Sequence, residues 1–258
     1  EGNEGMCTIM PRVHVVVTGI EKVLPTLEDF ATMARLLTRS ATGQSISNYI
    51  SLLTGTRATG EPDGPDHLYF VLVDGGRSSL LGSEFQEMLR CIRCGACMNH
   101  CPVYQKIGGH AYGWVYPGPM GSVLTPSYTG LENTLDLPQA ATLCGECHVV
   151  CPVKIPLPDL LRKLRERQFE RHLRPWAERL SLAAWAYIAA RPPLYRVVTR
   201  AGSRVLRLLS NRNGLIRNIP LLSGWSAGRD MPAPSSGTFS QRYARWQSDR
   251  AATRSETS

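Results

Sequence analysis

Apolar and polar positions divide the chain into stretches of different period. Val13-His-Val-Val-Val17 is a short β-branched run closed by Thr18-Gly19. His67-Leu-Tyr-Phe-Val-Leu-Val73 is a second, closed by Asp74-Gly75-Gly76. Both read as buried strands. Between them Pro25-Thr-Leu-Glu-Asp29 opens a helix, with Thr26 as N-cap and Asp29 at the capping-box spacing. Phe30, Met33, Ala34 and Leu37 follow at helical spacing. A short second helix is expected over Ile46 to Leu53, ended by Gly55, and residues 60–65 read as turn. Strand, helices and strand imply an α/β layer, although two strands do not make a stable sheet alone. Ser83 to Arg90 reads as a helix. Residues 108–138 are rich in Gly and Pro and poor in charge, yet carry Tyr112, Trp114, Tyr116 and Tyr128. They read as an ordered wrapping loop. Pro156 to Phe169 begins a helix with Leu160, Leu161 and Leu164 on one face. After Trp176 the pattern is helical to Ala190, breaks at Pro192-Pro193 and resumes to Leu209. The remainder reads as a turn-rich, polar arm.

Composition narrows the class. The 258 residues are 43% hydrophobic and 19% charged, which excludes disorder along the whole chain. No run of 18 apolar residues exists to span a membrane as one helix. Leu180 to Ala190 is uncharged but too short to span, and reads as a packed helix or a subunit contact. Glu1 to Gly5 has no signal-peptide character. With Glu1 in place of an initiator Met and a strand so soon after, the chain reads as one beginning inside a domain. Charge is unevenly placed. Residues 1–161 hold 10 basic against 15 acidic residues, and residues 162–258 hold 19 against 6. Only four of the 29 basic residues are Lys. Arg196, Arg200, Arg204 and Arg207 recur as one helical stripe, suited to an anionic membrane or an acidic partner. Aromatics are not interleaved as stacking on nucleic acid requires, so no nucleic acid is expected.

The cysteines carry the chemistry. Cys91-Ile-Arg-Cys94-Gly-Ala-Cys97-Met-Asn-His-Cys101-Pro102 is the C-x2-C-x2-C-x3-C-P run that holds [4Fe–4S] cubanes in bacterial ferredoxins, whose fourth Cys serves the other cluster. Zinc ribbons use two separated pairs instead, and a secreted disulfide scaffold would be shorter and spread its cysteines. Ala141-Thr-Leu-Cys144-Gly-Glu-Cys147-His-Val-Val-Cys151-Pro152 repeats the run with Ala141 at the first ligand position. Exchange of fourth ligands assigns Cys91, Cys94, Cys97 and Cys151 to cluster one. Cluster two takes Cys101, Cys144 and Cys147 and lacks a fourth thiolate. Cys7 is either that ligand, reaching over from the α/β segment, or an ordinary buried thiol; nothing around it looks like a ligand turn. His148 and His110 are the nearest non-Cys candidates. A [3Fe–4S] cluster or an open iron site are the other solutions. Ile92, Met98, Val103 and Ile155 read as the apolar shell. Arg93 and Lys154 read as solvated charges more readily than as partners of the clusters.

The chain resembles the iron–sulfur B subunit of the bacterial lactate-utilisation (Lut) system, also called the LldF type. The matching text includes Pro11-Arg-Val-His14, Leu37 to Gln44, Val73-Asp-Gly-Gly-Arg-Ser78 and Cys91 to Tyr104. It continues through Gly108-Gly-His-Ala-Tyr-Gly113, Leu143-Cys-Gly-Glu-Cys147, Cys151 to Leu157 and Trp225 to Pro232. The resemblance implies an α+β chain. Residues 1–82 would be the C-terminal part of an α/β LUD domain. Residues 83–170 would be a mostly helical, ferredoxin-like di-cluster domain, and 171–258 a basic helical region with an extended tail. It also implies three cysteines at the second motif as a family trait. The implied role is electron transfer in oxidation of L-lactate to pyruvate, in the cytoplasm. Two partner subunits are implied, a cysteine-rich-domain iron–sulfur protein and a LUD-domain protein. Peripheral contact at the inner face of the membrane would follow from the basic stripe.

Two other readings stand beside it. One is the iron–sulfur subunit of a different 2-hydroxy acid oxidase, glycolate oxidase-like, or a heterodisulfide-reductase-like module. The other is a partner- or membrane-docking protein whose clusters are structural. The chain has no GxGxxG or other nucleotide-binding loop to carry hydride chemistry itself, and no residue is assigned as a lactate acid–base catalyst.

Overall fold

The computed structural model describes residues 2–47, 49–217, 228–234 and 237–256, the last six of these by backbone alone. Trp225 to Ala227 of the C-terminal signature lie outside them. The protein is α+β and mostly helical. It forms two compact units, Glu1–Arg174 and Pro175–Ser258.

In the first unit, helix α1 (Gly2–Ile9) precedes strand β1 (Val13–Gly19), helix α2 (Leu27–Thr42) and strand β2 (His67–Val73). The strands pair in parallel from Val13 against His67 to Gly19 against Val73, so β1, α2 and β2 form a crossover unit. The capping box forms as the spacing requires. Thr26 Oγ1 accepts the Asp29 N–H at 3.1 Å and donates to the Asp29 carboxylate at 2.8 Å. Gly43 ends α2 in the left-handed region, φ 75°. The strands, expected to be buried, are not: Val17 and Phe70 are each 66% exposed. Two strands and one helix leave both faces of the sheet largely uncovered. The expected helix over Ile46 to Leu53 is also missing, since residues 46, 47 and 49–53 have no regular structure. So short a segment, with β-branched Ile and turn-forming Ser, needs a packing face that it does not find.

The remainder of this unit holds the core. Ser83 to Arg90 forms only a 3-10 turn, Gln86–Arg90, which buries Met88, while Phe85 is buried just before it. Helices α3 (Ala96–Asn99) and α4 (Pro102–Ile107) follow from the first cysteine run, and α6 (Glu146–Val149) from the second. Helix α7 (Leu157–Glu170) turns Leu157, Leu160, Leu161 and Leu164 inward. Between the runs, residues 108–138 are not a wrapping loop. They contain α5 (Gly118–Thr129), a buried helix packed against α7 and α3. Met120, Val123 and Leu124 have helical spacing, and Pro119 is tolerated in the first turn, where no intrahelical N–H bond is lost. Gly121 is needed for contact: a Cβ there would lie 1.6 Å from the Tyr116 carbonyl oxygen.

The second unit contains α8 (Trp176–Ala189) and α9 (Pro192–Leu208), which pack as a hairpin with Trp185 edge-on to Tyr195. A two-residue ribbon follows, β3 (Leu215–Ile216) with β4 (Met231–Pro232). The stretch expected to be an extended arm ends in a helix, α10 (Phe239–Glu256). Among the described residues no helix is long and apolar enough to cross a membrane.

Candidate iron–sulfur centre

The two cysteine runs fold as copies of one turn. Arg93 and Leu143, each one residue before a Cys, both take positive φ, 63° and 56°. Gly95 and Gly145 follow at 79° and 92°. Each glycine carbonyl then accepts the N–H three residues on, Met98 in one turn and His148 in the other, both at 2.9 Å. One helical turn later the Cys101 N–H donates to the Met98 carbonyl at 3.1 Å, and the Cys151 N–H to the His148 carbonyl at 3.3 Å. Position for position, Ala141 stands where the first run has Cys91.

These turns bring the thiols to two small cavities, each partly open to solvent. Cys91, Cys94, Cys97 and Cys151 line the first, with Ile92, Met120 and Ile155 among its walls. Cys101, Cys144 and Cys147 line the second, together with Ala141, Thr142 and Glu146. The last Cys of each run therefore faces the cavity of the other run. Among the described residues no three His, Cys, Asp or Glu side chains are gathered to hold a single metal ion. The thiols stand around walls, the arrangement that a cube of iron and sulfide requires.

Burial shapes the thiols. It pushes Cys97 up to about 12 and Cys147 up to about 11, and raises Cys91 too. A buried thiolate is costly without a cation beside it, and iron supplies that charge while displacing the proton. Backbone amides also reach sulfur. The Tyr104 N–H donates to Cys101 Sγ at 3.5 Å and the Ile155 N–H to Cys151 Sγ at 3.4 Å. Such bonds to sulfur and the apolar shell set a cluster's potential. Ile92 and Ile155 belong to that shell as expected, Met98 packs on the core, and Val103 is half-buried away from both cavities.

The remaining candidates fall elsewhere. Cys7 lies on α1, is exposed rather than buried, and lines neither cavity. His148 is half-buried with Nδ1 3.0 Å from the Ile155 carbonyl, and it lines neither cavity. His110 lines a separate surface hollow with Tyr104 and Trp114. Lys154 is exposed, as expected, and donates to the Val149 carbonyl at 2.9 Å.

Arg93 is not a solvated charge. Its side chain is 16% exposed, pairs with Glu21 at 3.2 Å and lies 4.2 Å from the Tyr116 ring centre. Glu21, just past β1, also pairs with Arg77, which lies over the Tyr128 ring. This knot ties the β1–β2 segment to the first cysteine turn. Arg165 of α7 braces the second turn by donating to the Pro138 and Ala141 carbonyls at 2.8 and 2.7 Å. Both roles depend on contacts across 24 or more residues, which no local spacing signals. In the second unit Arg200, Arg204 and Arg207 line a polar cavity with Ser203, Gln241 and Arg245.

Comparison with known proteins agrees with the geometry. A family model for a 4Fe-4S dicluster domain matches residues 87–155. A LUD domain model matches residues 1–73, and a model for the C-terminal part of lactate utilisation protein B matches 161–248. The chain is 44% identical over 242 residues to lactate utilization protein B of Macrococcus caseolyticus, covering 93% of this chain and 51% of that protein. For the protein of that name from Lysinibacillus sphaericus the figures are 42% over 240 residues, 93% and 50%. For that from Oceanobacillus iheyensis they are 43% over 253 residues, 97% and 52%. The chain thus spans about half the length of these curated relatives. No solved structure matches. The dicluster domain, with thiols around two cavities, carries two iron–sulfur clusters.

Proposed function

Over the span it shares with them the chain belongs with the lactate utilisation B proteins, and from that premise we propose that it is the electron-transfer part of a complex oxidising L-lactate to pyruvate. The observation that carries this reading is the crossed arrangement of the two cysteine turns. Cys91, Cys94, Cys97 and Cys151 would hold one cluster, and Cys101, Cys144 and Cys147 the other. When bound, the clusters supply one-electron redox steps between close centres. The chain's own residues do the positioning. Gly95 and Gly145 allow the tight turns, and Cys101 and Cys151 join the two sites through one continuous backbone. Ile92, Ile155, Met120 and Leu161 keep water from the sulfurs. Each site has two buried thiols, Cys97 and Cys151 at the first and Cys101 and Cys147 at the second, but only the second has an exposed one, Cys144. The exposed centre is the natural point of exchange with a partner subunit.

Two partners complete the reading, a cysteine-rich-domain iron–sulfur protein and a LUD-domain protein, with work on the substrate shared among them. Lactate added anaerobically to the assembled, cluster-loaded complex is expected to reduce the clusters, seen as bleaching of visible absorption and a new EPR signal. Clusters that stay oxidised with lactate but are reduced with glycolate would shift the assignment to a glycolate oxidase-like complex. Clusters inert to every hydroxy acid yet required for folding would make them structural.

A further inference from the structure

The cavity at Cys101, Cys144 and Cys147 has thiols for three irons of a cubane and a methyl group, Ala141, where the fourth thiol belongs. Because the two turns share positive φ at two equivalent positions and the same backbone hydrogen bonds from each glycine carbonyl, the deficit has a definite place. Arg165 fixes that place by holding the Ala141 carbonyl. The rest of the wall is mostly apolar, with Pro119, Leu143, Pro158 and Leu161 offering no donor. Glu146 is the one carboxylate on it. It is exposed at the rim, and among the described residues its carboxylate has no ion pair or hydrogen bond. A carboxylate oxygen is a competent ligand for first-row metals, though a harder one than thiolate and more readily exchanged.

We infer that Glu146 supplies the fourth, oxygen ligand to the cluster at Cys101, Cys144 and Cys147. One iron of that cluster is then distinct from the other three: bound by a carboxylate, facing solvent, and open to an incoming oxygen donor when the carboxylate swings away. Thr142 on the same rim offers only a neutral hydroxyl. This inference rests on the two-cluster ligand reading above and deepens it.

The test uses the full chain, reconstituted anaerobically with iron and sulfide. Mild oxidation by ferricyanide is expected to convert cluster two from [4Fe–4S]2+ to [3Fe–4S]+. That change releases one Fe2+ and passes one electron to ferricyanide. The protein drops from about eight irons to about seven and gains an EPR signal in its oxidised state. Ala141→Cys supplies the thiolate and is expected to abolish that loss. Glu146→Gln is expected to lose the iron without any oxidant. Protein grown on carboxyl-13C glutamate reports the bond itself, through 13C coupling to the reduced cluster that Glu146→Gln removes. The inference is overturned if Glu146→Gln keeps its iron and its 13C coupling, if Cys7→Ser or His148→Ala reproduces the loss instead, or if the wild type resists ferricyanide as well as Ala141→Cys does. Cys144→Ala, which leaves no donor atom, separates the two levels of the argument. Retention of both clusters in that variant overturns the underlying ligand reading, whatever Glu146 does.

Discussion

Glu21 and Arg93 show what a single side chain contributes. Burial alone would raise the Glu21 carboxyl, but its backbone hydrogen bond and the guanidinium groups of Arg77 and Arg93 outweigh it and hold the group below 4.5. A carboxyl whose folded value lies below its unfolded one adds stability above the unfolded value. That stability is lost as pH falls through the folded value. The cluster-free chain is therefore expected to lose stability below about pH 4.5, measured by urea unfolding in an acid series, with a shallower loss in Glu21→Gln. At neutral pH Glu21→Gln leaves two largely buried guanidinium groups without their anion, a change that costs at most about 3–5 kcal/mol, the figure for a fully buried pair. An unchanged unfolding midpoint would mean the knot is not structural. The cysteine ligands were legible because three-residue spacing is a local signal. The role of Arg93 was not, because its partner lies 72 positions away in the chain.

At the scale of elements, α5 carries the plainest lesson. Its sequence, Gly118-Pro-Met-Gly-Ser-Val-Leu-Thr-Pro-Ser-Tyr-Thr129, has the composition of a loop and the hydrophobic spacing of a helix. Its Gly and Pro read as an ordered loop, whereas Gly121 serves helix contact. Gly121→Ala is expected to force the helix off the Tyr116 turn, at a cost at the upper end of the roughly 1–3 kcal/mol range for overpacking. Because Met120 of α5 lines the first cavity and Pro119 the second, both clusters should become more labile. Iron release into a chelator, compared between variant and wild type, measures this. Equal rates would contradict it. The opposite holds over Ile46 to Leu53, where the short helix expected before Gly55 is not sustained by weak propensity without packing. Thr26 and Asp29 show where local signals suffice: the capping box needs only four residues, and it forms as read.

Across the whole molecule, hydrophobic runs, charge and cysteines report on different things. The β-branched runs gave strands of an α/β layer with a helix between them, yet not their exposure, because burial depends on what else covers a sheet. The arginine excess of residues 162–258 gave the α9 stripe, and three of its members line a polar cavity of the second unit. If that stripe meets an anionic membrane, the protein should sediment with anionic vesicles at low salt. It should be released near 1 M salt, where charges are screened beyond about 3 Å. No sedimentation at low salt would leave an acidic protein partner as its counterpart.

The cysteines carry the central claim, that the last thiol of each run serves the other run's cluster. Single Cys→Ala variants, scored by which of two reduced-state EPR signals disappears, test it most directly. Cys151→Ala should remove the same signal as Cys91→Ala, and Cys101→Ala the same signal as Cys144→Ala. Losses that instead pair Cys101 with Cys91, and Cys151 with Cys144, would contradict the crossed assignment and the two-centre relay built on it.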